Sequence, residues 1–484
     1  MTYSLEKALT EKCSRLNPTV ASCEAIGEIT LDQFLDIQSE KVFQNKRIPP
    51  LRNPEDYYKR VYSLTEKRLG KEAAVDAYRA AACGAMCTAD HHGALYNAQA
   101  FQGDILFSFL LKKLGHKGKY TPIASGGQIE LGNVCFARGI SVYTSNEGKK
   151  CLPFFRAIDH NQMAFCAKAI DREMIGKFRE NFITGQNDIP TEKALDEILS
   201  RIYEKDEVLT ARNYAEQTTV IGSLLTDNIF GKKGVNLDYL EVEEIVRPLL
   251  IEELGDRGSV FSKILSSGEN IRKLTEKNSE RGIPLASMLF STSDDKGRKV
   301  FLTMCEDGTL WGRARDNSEI CYPGDIDSIC NLLETKTIFP ALFTIAVVLA
   351  FERGITWVGG MFQASYLAGW QRTFSEYLED IGLDKEAGLI RTYDCSGYTC
   401  GPMFAMYGHD ESAMAAGPVE MWIGETDFSR IEELLRRTSL WDAHRIGLQE
   451  MYPDLVEKKD RDPNWCETVT KELYKEFPEN IINE

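Results

Sequence analysis

The longest predominantly apolar segment of the chain runs from Thr337 to Phe351, spans about 15 residues and contains Pro340. A helix needs about 20 apolar residues to cross a membrane, so this segment predicts a buried helix of a globular protein. The first residues, Met1 to Lys7, contain no apolar core of a secretory signal. The sequence therefore predicts a cytoplasmic protein that folds around buried apolar cores.

The charge balance limits the classes of partner. The chain has 484 residues and a formal net charge of −16 at pH 7. A nucleic-acid footprint needs a basic face, and anionic membrane surfaces repel an acidic protein. We therefore expect no nucleic-acid and no membrane partner, whereas a small anionic substrate and a homo-oligomer both stay open. The 13 cysteines include no Cys-x-x-Cys pair, which favours buried thiols in a reducing compartment.

The patterning along the chain predicts several domains, because 484 residues exceed one ordinary hydrophobic core. The predicted domains are an N-terminal helical and β-meander domain at 1–175, an acidic helical segment at 176–280 and a C-terminal α+β domain at 281–484. The fold class is α+β, with two predominantly antiparallel β regions, each covered by helices, and a helical segment between them.

Local signals predict individual elements. Residues 294–297, Asp-Asp-Lys-Gly, predict a hairpin turn between two strands. The dipeptide Thr426-Asp427 predicts the start of a helix that continues through Arg437. Residues 236–257 carry acids around leucines and predict one amphipathic helix, interrupted at Pro248. Short apolar runs predict strands at 128–136, 138–144, 151–158, 388–393 and 417–423.

A histidine doublet, His91-His92, follows Asp90 in a chain that has only six histidines. Histidine ligates metals and transfers protons near neutral pH. A catalytic metal site needs about three protein ligands and an open position for water, and a helix end and a strand end can supply them together. The sequence predicts a divalent metal ion (zinc, iron or manganese) with these ligands: Asp90, His91, His92, Asp159 and His160. A helix cap is the structural alternative for the doublet.

The metal hypothesis assigns catalytic roles to His92, His160 and Glu420. The run Val-Glu-Met-Trp-Ile surrounds Glu420 with apolar residues, so its carboxylate points into a core or a pocket. There it would act as a general base or a further metal ligand. The predicted reaction is metal-assisted hydrolysis or group transfer on a small polar, anionic substrate.

A second cluster combines Cys395, Cys400 and His409. Nucleophilic cysteine catalysis needs a thiolate, a histidine that activates it and a group that orients the histidine. The glycine-rich turn around Cys395 is suited to expose a nucleophile and to aim backbone N–H groups at an oxyanion. The alternative function is therefore a metal-independent acyl transferase or amidohydrolase. Two buried cysteines beside a surface histidine are the structural alternative.

Polar residues beside glycines predict a ligand pocket, because glycine lets the backbone approach a ligand and arginine pairs with carboxylates or phosphates. The predicted substrate-binding residues are Gln102, Asn133, Arg138, Arg353 and Gln363. The chain contains neither a Gly-x-Gly-x-x-Gly nor a Gly-x-x-x-x-Gly-Lys-Ser/Thr motif, so no nucleotide cofactor is expected. A non-enzymatic ligand-binding or assembly subunit is the third hypothesis.

Overall fold

Helices and short strands alternate along the chain. The computed structural model describes residues 18, 21–22, 25–88, 96–133, 138–185, 187–231 and 234–483. The strands are β1 (Ala85–Met86), β2 (Tyr120–Ser125), β3 (Gly139–Thr144), β4 (Gly148–Pro153), β5 (Asn236–Glu241), β6 (Phe290–Ser293), β7 (Lys299–Met304), β8 (Thr309–Arg313), β9 (Glu319–Pro323), β10 (Ile338–Pro340), β11 (Thr356–Trp357), β12 (Met406–His409) and β13 (Ser412–Ala415).

The helices surround these strands. They are α1 (Leu31–Lys46), α2 (Glu55–Leu69), α3 (Lys71–Ala81), α4 (Ala98–Lys113), α5 (Arg172–Phe182), α6 (Ile189–Ile198), α7 (Asp206–Leu209), α8 (Tyr214–Phe230), α9 (Val242–Gly255), α10 (Val260–Leu265), α11 (Gly268–Glu276), α12 (Ile326–Glu334), α13 (Leu342–Ala346), α14 (Met361–Asp380), α15 (Asp384–Ile390), α16 (Pro418–Ile423), α17 (Phe428–Arg437), α18 (Leu440–Ile446), α19 (Leu448–Leu455) and α20 (Trp465–Glu476).

Four parallel strands form the centre of the fold. β1 pairs with β11 on one side, and β2 pairs with β5. A parallel bridge between Cys87 and Ile123 joins the two pairs, and the Ala124 amide donates to the Cys87 carbonyl at 2.9 Å. The spatial order is therefore β11-β1-β2-β5. Because all four strands run in the same direction, their carboxyl ends meet at one edge.

The parallel strands separate two buried layers, because successive side chains of a strand point to opposite faces. Cys87 and Tyr239 belong to the core cluster that contains the apolar residues of α4. Met86 and Leu240 belong to a second cluster, which contains residues of α9, α14 and the antiparallel strands β6 to β8. A third cluster lies among α5, α6, α8 and the β3–β4 hairpin.

The other strands pair in antiparallel fashion. The order β10-β6-β7-β8-β9 forms one five-stranded sheet, and β3–β4 and β12–β13 are separate hairpins. The predicted α+β class is confirmed, with strand orientations that are mixed. The predicted hairpin turn at 294–297 is also confirmed: the Asp294 amide donates to the Arg298 carbonyl at 3.0 Å, and Gly297 takes a positive φ of 72°. The helix predicted from Asp427 through Arg437 is α17, whose first turn is capped by the Asp427 side chain.

Three predictions of individual elements are wrong. Residues 236–257 begin with the strand β5 and only then form the helix α9. The runs 388–393 and 417–423 were predicted as strands, but α15 ends at Ile390 and α16 occupies 418–423. Apolar runs of fewer than eight residues fit a buried helix as well as a buried strand, so tertiary packing decides between them.

Other segments differ in their boundaries. The predicted strand at 151–158 is β4 followed by a 3-10 turn at 157–159. Of the predicted strand at 128–136, residues 128–133 form turns with a single bridge at Glu130, and 134–137 lie outside the described residues.

The apolar segment that begins at Thr337 contributes β10 before the buried helix α13 starts. Helix α13 continues into a π-helical turn at 347–351, all of whose residues are buried. Within the described ranges, no helix is both long enough and apolar enough to span a membrane.

Candidate functional site

A cavity of about 110 Å³ lies where the parallel strands end. Thr88 follows β1, Gly126 follows β2, and Val242 and Glu243 follow β5 in its wall. Lys299 and Tyr366 contribute from β7 and α14. Ligands of open parallel sheets bind outside the carboxyl ends of the strands, so this edge is the expected position of a site. We therefore take this cavity as the candidate active site.

Glu243 is the buried acid of the cavity. It is 5% exposed and lies in the first turn of α9. One carboxylate oxygen accepts from the Gly127 amide at 3.0 Å, and the other accepts from the amide and the side chain of Gln128 at 3.1 and 3.2 Å. Burial raises the pKa of Glu243, and these N–H donors oppose the rise. The carboxyl group is therefore held in one orientation while its pKa moves towards neutral pH.

Gln128 is fixed by Glu243 of α9 and by two groups of the five-stranded sheet. Its side-chain nitrogen donates to Glu243 and, at 2.7 Å, to the Pro340 carbonyl. Its side-chain oxygen accepts from the Ser291 hydroxyl. The amide therefore connects the parallel strands to the five-stranded sheet and holds the Glu243 carboxylate in place.

Lys299 is the cation of the cavity. Its ammonium lies 4.8 Å from the centre of the Phe301 ring, and no carboxylate of the described residues is within 4 Å of it. Burial lowers the pKa of Lys299, and the negative charges of Glu243 and Glu130 partly oppose this. The pKa values of Glu243 and Lys299 are thus displaced towards each other.

Aromatic and amide groups complete the wall. Trp357, at the end of β11, is 2% exposed, and its buried indole nitrogen has no hydrogen-bond partner among the described residues. The Thr88 hydroxyl donates to the Gln363 side-chain oxygen, and the buried Gln363 nitrogen likewise has no partner in the described ranges. Burial raises the pKa of Tyr366, which keeps its hydroxyl protonated. The cavity therefore combines an apolar wall with a few polar groups, as small-molecule sites do.

The predicted metal ligands are only partly described. Asp90, His91 and His92 lie outside the described residues. Asp159 lies in a 3-10 turn, where the Arg156 guanidinium donates to it at 3.2 Å, and His160 is exposed at the end of that turn. In the part of the chain that the structure describes, no group of three or more His, Cys, Asp or Glu side chains is arranged to hold a metal ion.

The cysteines and the histidine of the second hypothesis have different environments. Cys395 is 8% exposed, and burial raises its pKa to about 12, so the reactive thiolate is scarce at neutral pH. Cys400 is also buried, and its thiol donates to the Gln99 carbonyl at 3.6 Å. The His409 side chain is 46% exposed, and its Nε2 lies 3.4 Å from Oδ2 of Asp410. No hydrogen bond joins His409 to either thiol.

Glu420 is a buried acid that accepts hydrogen bonds from two backbone amides. It is 2% exposed, in α16, and accepts from the Tyr143 amide at 2.9 Å and the Gly417 amide at 3.0 Å. Burial raises the pKa of Glu420 to about 8. The prediction that this carboxylate points into a core or a pocket is confirmed. It does not line the cavity at the strand ends.

Two of the predicted substrate-binding residues serve the protein interior. Gln102 is fully buried, and its amide bonds the backbone of residues 404, 405 and 416. Arg353 is 3% exposed and pairs with Glu253. The hydrogen bonds of both side chains are made to other groups of the protein interior.

The other three predicted residues have different positions. Asn133 and Arg138 are half-buried and flank the segment 134–137, and neither lines the cavity. Gln363 accepts a hydrogen bond from Thr88, which lines the cavity, but does not line the cavity itself. Glu243, Lys299 and Tyr366 were missed, since no local motif marks any of them. The only local signal is the glycine pair Gly126-Gly127 before Gln128, a pattern that is typical of a turn.

Comparisons of the chain with protein-family models, with curated proteins and with solved structures found no match.

Proposed function

We propose that this protein is an enzyme that binds a small polar, anionic substrate in the cavity at the carboxyl ends of the parallel strands. The reaction class is hydrolysis or group transfer with proton transfer by Glu243 and Lys299. One observation carries the proposal: a carboxyl group with a raised pKa and an ammonium with a lowered pKa line the same cavity. Paired groups whose pKa values approach neutral pH are typical of acid–base catalysis.

The roles of the two groups follow from their charge. Glu243 acts as the general base, because three N–H donors orient its carboxylate and leave room for one further hydrogen bond. Lys299 attracts the anionic group of the substrate and donates a proton to a leaving group. The apolar wall, including Ala124 and Ile345, excludes water and strengthens both interactions.

We expect Glu243→Gln and Lys299→Met each to lower kcat/KM by about 10²–10⁴-fold, because each removes one proton-transfer group. The measurement is steady-state kinetics on whichever ester, amide or phosphate substrate a small-compound panel identifies. Circular dichroism and thermal unfolding check that each variant is folded.

Glu244→Gln is the matched control, since Glu244 lies beside Glu243 in α9 but pairs with Arg247 and Lys336. Its activity should stay within about twofold of the wild type, because the half-buried Glu244 does not line the cavity. An activity that survives both Glu243→Gln and Lys299→Met would contradict the proposal.

A second candidate is the metal-assisted form of the same reaction. The observation in its favour is that Thr88 lines the cavity, and Asp90, His91 and His92 follow it in the sequence by two to four positions. A zinc, iron or manganese ion would acidify a bound water molecule, and Glu243 would accept the proton of that water.

We expect the protein, purified without chelators, to contain one divalent metal ion per chain, and His91→Ala/His92→Ala to lose it. Mass-spectrometric metal analysis of both proteins is the measurement. His409→Ala is the control, because this exposed histidine is far from the doublet in sequence. Equal metal content in all three proteins would exclude the doublet as the ligand and leave the metal-independent form of the proposal.

A further inference from the structure

Two half-buried side chains of the cavity, Lys299 and Tyr366, carry hydrogen-bond donors with no protein partner among the described residues, in addition to the fully buried indole nitrogen of Trp357. The Lys299 ammonium forms no hydrogen bond and no ion pair with the described residues. It makes a cation–π contact with the Phe301 ring. The Tyr366 hydroxyl likewise bonds none of the described groups, although its ring packs on Trp370. Polar groups in partly buried positions normally have partners, so these two donors are available to a ligand.

The acceptors of the cavity are already engaged. Both oxygens of Glu243 accept N–H groups. The side-chain oxygen of Gln128 accepts from Ser291, and that of Gln363 accepts from Thr88. The cavity therefore offers donors without partners, whereas each of these acceptors already accepts at least one hydrogen bond. A ligand that complements it must be rich in acceptors.

The volume of the cavity and the charges of its wall further limit the class of ligand that fits it. The volume of about 110 Å³ is below the roughly 300–1,000 Å³ of pockets that hold drug-sized ligands, so the bound group is small. Two donors match the two oxygens of a carboxylate. A phosphate carries more oxygens and up to two negative charges, and it would have to lie beside the Glu243 carboxyl group.

Resting on the proposed function, we infer that the substrate carries a carboxylate whose oxygens accept hydrogen bonds from the Lys299 ammonium and the Tyr366 hydroxyl. The rest of the substrate then extends towards Glu243, the proposed general base. Charge-assisted hydrogen bonds are stronger than neutral ones, so Lys299 supplies the larger share of the affinity. Tyr366 supplies orientation.

The test uses short carboxylates and their uncharged counterparts as probes. Acetate, propionate, lactate and lactamide are titrated into the full-length protein at constant ionic strength, with inorganic phosphate as a further anion. Isothermal calorimetry gives Kd. We expect at least one carboxylate to bind, and lactamide to bind at least tenfold more weakly than lactate.

The variants assign the binding to the two donors. Lys299→Met and Tyr366→Phe are each expected to weaken carboxylate binding about tenfold or more. The controls are Lys296→Met, an exposed lysine of the same hairpin, and Tyr322→Phe, a half-buried tyrosine of β9. Both controls should keep the wild-type Kd.

Three outcomes would overturn the inference: no carboxylate binds, lactamide binds as well as lactate, or both donor variants keep the wild-type Kd. Binding of phosphate or lactamide that still depends on Lys299 would reject the carboxylate while leaving the proposed site intact. Carboxylate binding that depends on Lys299 and Tyr366, together with an activity indifferent to Glu243→Gln, would reject the proposed chemistry instead.

Discussion

Replacing Arg353 with methionine is expected to lower the free energy of unfolding by about 3–5 kcal/mol. Arg353 is 3% exposed and donates to Glu253 and, at 2.9 Å, to the Val348 carbonyl. The substitution leaves Glu253, which is 2% exposed, without this cation. An uncompensated buried charge is costly, because the interior cannot replace the water that the carboxylate lost on folding.

A neighbouring carboxyl group makes this loss larger. Glu352 is fully buried, and both burial and the charge of Glu253 raise its pKa well above the usual value. The positive charge of Arg353 opposes that rise. Without Arg353, two acids share one buried site and at most one of them ionises easily.

Urea unfolding followed by circular dichroism measures the effect. Arg372→Met is the control, because Arg372 and Glu280 form an ion pair whose side chains are 64% and 51% exposed. Exposed pairs contribute about 0–1 kcal/mol. The double variant Glu253→Gln/Arg353→Met should recover part of the loss, since it removes the stranded charge. Equal stability of Arg353→Met and Arg372→Met would contradict the prediction.

The second large effect is a dependence of stability on pH through Glu420. The pKa of Glu420 is about 8 in the folded protein against 4.5 for the unperturbed group. The folded state therefore binds a proton more tightly than the unfolded state. The stabilisation of the folded state by this proton is fully present below pH 4.5. It is lost as the pH rises through 8. At about 1.4 kcal/mol per pH unit, the loss is about 5 kcal/mol.

Glu420→Gln should remove this pH dependence. Glutamine cannot ionise, so the free energy of unfolding of the variant should fall less steeply between pH 5 and pH 9 than that of the wild type. At low pH the variant should be less stable by about 1–3 kcal/mol, because Tyr143 and Gly417 donate to different oxygens of Glu420 and the nitrogen that replaces one of them in glutamine cannot accept.

Urea unfolding at several pH values separates the two effects. Glu457→Gln is the control, because Glu457 is 71% exposed and its substitution should leave the slope unchanged. Other acids, among them the half-buried Glu241 and the buried Glu243, also have raised pKa values and contribute slopes of the same sign. The comparison therefore rests on the difference between variant and wild type. A variant that keeps the full wild-type slope would show that Glu420 is already ionised in the folded state.

The positions of a turn and of a helix cap could be predicted from the sequence, because each depends on a few adjacent residues. The Asp-Asp-Lys-Gly turn placed the β6–β7 hairpin, and the capping Asp427 placed the start of α17. The apolar surroundings of Glu420 also predicted its burial, although the run that carries it is a helix rather than a strand. In each case the local pattern and the fold favour the same conformation.

The central parallel strands could not be predicted from local sequence patterns. β1 and β11 are two residues long, and β5 carries the fully buried Asp238, which pairs with Arg68 of α2. A buried charge inside a strand looks like the polar face of a helix until its partner is known. Parallel strands also pair with distant parts of the chain, so no turn signal connects β2 to β5.

By itself, the sequence determined the α+β composition, the hairpin at 294–297 and the helix from Asp427, because backbone preferences act over a few residues. Only the tertiary structure decided that Glu243, Lys299 and Tyr366 line one cavity. They come from separate elements, α9, β7 and α14, and each looks like an ordinary surface or core residue in its own segment. Their proximity and the displacement of their pKa values follow from packing and burial, which are properties of the folded chain.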